Sequence, residues 1–275
     1  MEKEAKTSFS FASIAVSFFI LIVLPLTITG VIITKGVIKV GEEATQANLR
    51  ILDDNQKQSI AGRAQNVAEA VAQFLSEREK DIRIATILPR DERSYDTFLR
   101  SNTRGVVESS DAGIVKVPLP IYREIAFLDK NGKETLRVTT SGVVAKDRLR
   151  DMSNPAGSEY GEEDFFQKVK QLAPGEYYLG PVVGRHVGKQ EFESGKRFDG
   201  YIRMAAPVFD SGGFAGVVAL AIDFRHIMEF TDHIVPTEPG MVFARVNPDD
   251  ANYTFLVGRD GTVLCHPAQY LLGGV

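Results

Sequence analysis

The sequence predicts an α+β protein. It reads as an N-terminal transmembrane helix, a long stalk helix, an antiparallel sheet of about five strands, and the start of a second, incomplete sheet lobe. Three observations carry that class. A run of 25 residues, Phe9 to Ile33, has no charged side chain. Apolar residues then recur at helical spacing as far as Leu88. Beyond that point the period switches to two, punctuated by Asn131-Gly132 and Asp210-Ser211-Gly212-Gly213.

The uncharged run includes Phe18-Phe19-Ile20-Leu21-Ile22-Val23-Leu24 and as a helix would span about 37 Å, against about 30 Å for a hydrocarbon core. Pro25 is tolerated inside a membrane and is expected to kink the helix. A signal peptide would have a shorter apolar region and an A-x-A-like cleavage site; the nearest small residues are Thr27, Thr29 and Gly30. An uncleaved span at 9–33 behind a short tail, 1–8, is therefore expected. Charge leaves the orientation open, because Lys3 and Lys6 before the span balance Lys35 and Lys39 after it.

Residues 41–88 predict one long helix. Ile60, Ala64, Val67, Val71 and Phe74 alternate steps of four and three, so this half packs on a core. Asp53 to Ser59 is polar all round, which suits a solvated stalk or a helix paired with a second copy, making a homodimer through the long helix an expectation. Pro89 ends the helix, and a short one is expected at Ser94–Arg104. Strands are expected at Ile121–Leu128, Glu134–Thr140, Tyr177–Val183, Tyr201–Phe209 and Phe214–Phe224, with a polar loop at Asp147–Glu163 and a short helix at Asp164–Leu172. Asn-Gly between the first two strands is a strong hairpin signal, since both turn residues need positive φ. Phe127-Leu128 with Asn131-Gly132 is echoed 128 residues on by Phe255-Leu256 with Asp260-Gly261. The echo is followed by only fourteen residues, too few to complete a sheet, so the chain reads as the N-terminal portion of something longer.

Composition excludes several classes. The 275 residues are 44% apolar and 25% charged with net charge −4, which rules out a disordered or collagen-like chain and leaves no basic footprint for nucleic acid. The lone Cys265 permits no intrachain disulfide, and with the adjacent His266 it lacks the spaced further ligands a metal site needs. His186, His226 and His233 are scattered, and Gly212-Gly213-Phe214-Ala215-Gly216 joins two strands without the Lys-Ser/Thr of a phosphate loop. No catalytic constellation, metal set or cofactor motif is visible, so an enzyme is disfavoured.

Glu124 to Lys133, Asp164-Phe165-Phe166, Tyr177 to Val182, Met204 to Asp210 and Gly216 to Leu220, in that order behind a membrane helix and a long helix, resemble the Cache superfamily. These are the PAS-like extracytoplasmic sensor domains of bacterial chemoreceptors and sensor histidine kinases. Phe255 to Pro267 looks like the opening hairpin of the membrane-proximal lobe of a double Cache domain. The resemblance implies a membrane-distal domain at 89–235 and the beginning of a proximal lobe at 236–275. It also implies an inner-membrane protein whose main domain is periplasmic, and a small-molecule ligand bound over the distal sheet. One subgroup recognises amino acids through a set that includes a Trp-Tyr pair; this chain has no tryptophan, and Phe165-Phe166 stands there instead, so that preference is not carried over.

Strand alternation points to the pocket. Ile202, Met204, Ala206 and Val208 form one apolar face, suited to the long helix, and Tyr201, Arg203, Ala205 and Pro207 form the other. Leu136 and Val138 likewise oppose Arg137 and Thr139, and Asp223 ends an apolar strand. A cup of Arg137, Phe166, Tyr178, Tyr201, Arg203 and Asp223 would suit a small carboxylate held by guanidinium. The alternative is a membrane-tethered structural or interaction protein that keeps the fold without a ligand, and it predicts a collapsed cup.

Overall fold

The structure is a computed structural model and describes residues 16, 18–110, 113–238, 246–250 and 252–273. The expected tail 1–8 and the first residues of the expected span lie outside them. The described chain divides into two compact units, 1–61 and 62–275.

A π-helical segment, Phe19–Val23, leads into α1, Leu24–Ile87. Among the described residues this is the one helix long and apolar enough to cross a membrane, and Leu24, Leu26, Ile28, Val31, Ile32 and Ile33 on it are exposed. The π segment ends just before Pro25, whose missing N–H removes one bond of the regular ladder. Thr27 and Thr29 bond their hydroxyls back to Val23, Leu24 and Pro25 carbonyls, so the apolar stretch satisfies its own polar groups. The sequence separates a span at 9–33 from a long helix at 41–88, whereas the helix is continuous through 34–40. That stretch contains no proline and only one glycine, Gly36, which does not suffice to break it.

Helix α2, Glu92–Ser101, is capped by Asp91, whose carboxylate accepts the Ser94 amide at 2.8 Å. It ends three residues before the expected Arg104, because β1, Thr103–Ser110, pairs with β2, Gly113–Pro120, in a hairpin absent from the sequence reading. Pro118 and Pro120 argue against a strand there, yet both lie in register with β1, opposite Gly105 and Thr103, in a two-stranded ribbon whose strands are both edges. The main sheet contains β3, Tyr122–Asp129; β4, Glu134–Thr139; β5, Gly142–Val143; β6, Tyr178–Arg185; β7, Asp199–Asp210; and β8, Gly213–Asp223. It has six antiparallel strands in the order β5-β4-β3-β8-β7-β6, the sixth being the short edge strand β5 beyond the five expected. Three short helices complete the set: α3, Phe165–Val169; α4, Lys189–Glu193; and α5, Arg225–Met228. The last hairpin, β9, Leu256–Val257, with β10, Val263–Cys265, forms around Asp260-Gly261, and Gly132 and Gly261 share positive φ of 89° and 87°.

The sheet has two faces because its side chains alternate. Ile202, Met204, Ala206, Val208, Val218, Leu220 and Ile222 join one core with Phe74, Ile82 and Ala85 of α1. The opposite face is floored by Ala126, Ala205 and Ala219 and covered by Met152, Phe165, Phe166 and Val169. Residues 147–163 and α3 thus form a strap across the face turned away from the long helix.

Candidate functional site

The strap ends at Glu163, and Glu163 lands on Arg203. Ser158 Oγ accepts the amides of Glu162 and Glu163 at 3.1 and 3.2 Å, which fixes this turn of the strap locally. The Glu163 carboxylate then accepts from Arg203 Nε at 2.7 Å, from Arg203 Nη2 at 3.2 Å and from the Tyr201 hydroxyl at 2.6 Å. This is the two-pronged geometry of guanidinium on carboxylate. Arg203 Nη1 donates to Glu124 at 2.8 Å, and the guanidinium lies over the rings of Tyr201 at 4.7 Å and Phe165 at 5.3 Å.

All three charged groups are buried: Arg203 is 3%, Glu163 5% and Glu124 6% exposed. Burial opposes the charge on Arg203, yet Glu124 and Glu163 outweigh it and hold its pKa well above the ordinary value. Burial likewise opposes ionisation of Glu124, but Arg203 and Arg150 hold its carboxyl below the usual range. The network continues through Arg150, which pairs with Glu159 at 3.0 Å, while its amide donates to Glu134 at 2.8 Å. Burial pushes the Glu134 carboxyl up.

Of the six residues predicted from the sequence, Tyr201, Arg203 and Tyr178 come together: Tyr178 and Arg203 line one crevice, and Tyr201 shares Glu163 with Arg203. Arg137 belongs to the wider network, 3.6 Å from Glu134 and donating to the Arg148 carbonyl at 2.8 Å. Phe166 packs into the apolar patch beside Gly132, and its neighbour Phe165 takes the place against the guanidinium. Asp223 stands opposite Tyr201 in register, yet its carboxylate accepts the Arg225 amide at 2.9 Å and guanidinium at 2.8 Å, with Arg123 at 3.6 Å.

The predicted cup is filled. The crevice remaining between Arg203, Tyr178, Phe165 and Glu163 is about 10 Å³, and the carboxylate in the guanidinium's grip is the chain's own. Glu124 and Glu163, the two carboxylates on Arg203, are absent from the sequence reading. Glu124 carries a readable signal, a lone acid in an apolar strand in phase with Ala126 and Leu128. Glu163 carries none, being forty residues from its partner and in a loop.

No family model and no curated protein matches the sequence. Solved structures similar to it include the sensory domain of the Campylobacter jejuni chemoreceptor Tlp3, at 13% identity over 81% of this chain and 76% of that one, TM-score 0.49. A second is the ligand-binding domain of the Pseudomonas aeruginosa PAO1 amino acid chemoreceptor PctC in complex with GABA, at 14% identity over 78% and 74%, TM-score 0.43. A third is the extracellular domain of the proposed histidine kinase vpHK1S-Z8, at 21% identity over 39% of this chain and 36% of that one, TM-score 0.29.

Proposed function

We propose that this chain is the sensing part of a bacterial transmembrane receptor, a chemoreceptor or sensor histidine kinase, with 62–275 on the extracytoplasmic side of the inner membrane. The ligand is a small carboxylate that takes the place of Glu163 at Arg203. One observation carries the reading: the sheet face turned away from the long helix already holds a carboxylate on a buried arginine, with two guanidinium donors and one tyrosine hydroxyl. A ligand making the same three bonds releases the strap that Glu163 anchors. Tyr201 and Arg203 alternate along β7 with Ile202 and Met204, which share a core with Phe74 and Ile82 of α1. A change of sheet geometry is therefore felt by the helix, and the ligand shifts the equilibrium by no more than its differential affinity for the two geometries. Residues 41–61 are exposed on every side, which supports pairing of this stretch with a second copy.

The test is thermal unfolding of the full chain in lipid nanodiscs while acetate, lactate and succinate are titrated. One of them is expected to stabilise saturably, and Arg203→Gln to abolish that response. The second reading, a tethered fold without a ligand, draws on the 10 Å³ crevice beside Arg203 and predicts no stabilisation by any carboxylate.

A further inference from the structure

We propose that a second cavity, between the long helix and the β1–β2 ribbon, binds an amphipathic monoanion, a small carboxylic acid with an apolar tail. The cavity has a volume of about 520 Å³, within the range of small-molecule sites. Its wall is mainly apolar: Val67 and Ala70 from α1, Val107 from β1, and Phe230 and Ile234 from the segment after α5. The polar groups that face it are Asn66, Arg104, Lys116 and Glu229.

Arg104 sets the ligand class. Two guanidinium groups stack on Phe74, Arg78 at 4.7 Å and Arg104 at 5.0 Å, and Arg104 also lies 4.7 Å over Phe230. Arg78 is ion-paired, with Asp81 at 2.8 Å and Glu77 at 3.3 Å. Arg104 forms no ion pair among the described residues, and its Nη1 is buried without a hydrogen-bond partner. Burial lowers the Arg104 pKa, and Glu229 opposes this only through space, because that carboxylate accepts the Val107 amide at 3.1 Å and stands 3.5 Å from His233. Held over two rings, the guanidinium is fixed at the cavity wall with no carboxylate of its own. Lys116 supplies a second cation. Its aliphatic stem lies over Gly105, where a Cβ would stand 2.9 Å from Lys116 Cγ, so the glycine makes room for it along the wall.

Two cations and one carboxylate leave room for a single negative charge. An ammonium is repelled by both cations, a neutral hydroxyl leaves their charge uncompensated, and a dianion meets Glu229. The tail lies on Val67 and Ala70, so the occupant touches the long helix directly rather than through the sheet. This site is independent of Arg203.

The experiment is isothermal titration of the full chain in lipid nanodiscs with 3-phenylpropionate, 3-phenylpropan-1-ol and 3-phenylpropylammonium, empty nanodiscs being subtracted. The acid alone is expected to bind saturably, one per chain. Arg104→Gln weakens it by about tenfold or more, the scale of one charge-assisted hydrogen bond. Ala70→Leu, which fills the cavity and keeps every charge, weakens it likewise and serves if the Arg104 variant fails to fold. The proposal is overturned if the alcohol binds as tightly as the acid, or if Ala70→Leu binds as the wild type does. An acid that binds the Arg104→Gln chain as tightly as the wild type overturns it by placing the acid elsewhere. Binding that fades as protein concentration rises overturns it by showing that a second copy fills the groove.

Discussion

Removing Glu163 tests the latch directly. In Glu163→Ala, Arg203 loses the acceptors of its Nε and Nη2, Tyr201 loses its hydroxyl's acceptor, and Glu124 alone remains at 2.8 Å. Breaking a buried ion pair from one side costs about 3–5 kcal/mol, and the surviving Glu124 contact places this variant near the lower end. For a domain of this size about 3 kcal/mol corresponds to a fall in Tm of roughly 6–12 °C. The void left behind has the shape and charge preference of a small carboxylate, so acetate should restore what the mutation removes. Occupancy at a hundredfold over Kd returns about 2.7 kcal/mol, most of the loss. The wild type responds only at higher acetate concentrations, because Glu163 competes from within the same chain at a local concentration of millimolar or above. The assay is thermal unfolding of the full chain in nanodiscs, followed by tyrosine circular dichroism, across an acetate series. A Glu163→Ala chain that melts with the wild type would show that the contact contributes nothing. One that is destabilised but deaf to acetate would show a structural ion pair and no carboxylate site.

Three further outcomes follow from the geometry. Gly132 has φ of 89°, and a Cβ there would stand 2.9 Å from both Phe166 Cδ1 and the Ser153 amide, so Gly132→Ala should cost about 1–3 kcal/mol in a denaturant titration; an unchanged midpoint refutes the close approach. His226 donates Nε2–H to the Pro120 carbonyl at 3.0 Å while its Nδ1 has no partner, and burial pulls its pKa below the ordinary 6.5. The unfolded chain therefore binds the proton first, so this stability is complete above pH 6.5 and drains as pH falls towards the lower folded value. His226→Gln should flatten the decline of Tm between pH 7.5 and 5.5, and an unaltered slope counts against it. Ser59 is exposed, and the native Cys265 is buried. Ser59→Cys should react with an impermeant maleimide on intact cells; reaction only after lysis places the domain on the other side of the membrane.

Legibility in the sequence tracked how local each cause is. The two faces of β7 were readable because side-chain period is a local property: Ile202 and Met204 went to the helix side and Arg203 to the other. The two hairpin turns were readable because Asn-Gly and Asp-Gly accept positive φ. The β1–β2 ribbon was obscured by its prolines, and β5 by its two-residue length. Asp223 shows how alternation misleads at a strand end. Its place at the end of the strand was right, but the turn after it delivers Arg225 two residues away, and that local partner captures the carboxylate. Glu163 lay beyond any such pattern, since nothing in Ser158 to Asp164 announces an arginine forty residues ahead.

That blind spot bears on what the Arg203 site is. A buried arginine alternating with core residues on a central strand needs counter-charge wherever the protein is folded, because its isolated burial would be prohibitive. Glu124, rooted in the adjacent strand β3, supplies one charge that no strap movement can remove. Glu163, rooted in the strap, supplies a second that only the strap's position provides. A purely structural arginine is neutralised by Glu124 alone. The second carboxylate leaves the cluster with excess negative charge, which Arg150, 3.9 Å from Glu124, offsets, while burial pushes the neighbouring Glu134 towards its protonated form. In the proposed reading, one permanent and one removable anion on the same guanidinium give two compositions, strap carboxylate or outside carboxylate, with equal charge at the arginine. Exchange between them costs little electrostatically and moves the strap, which is the property required of a sensor in the proposed reading.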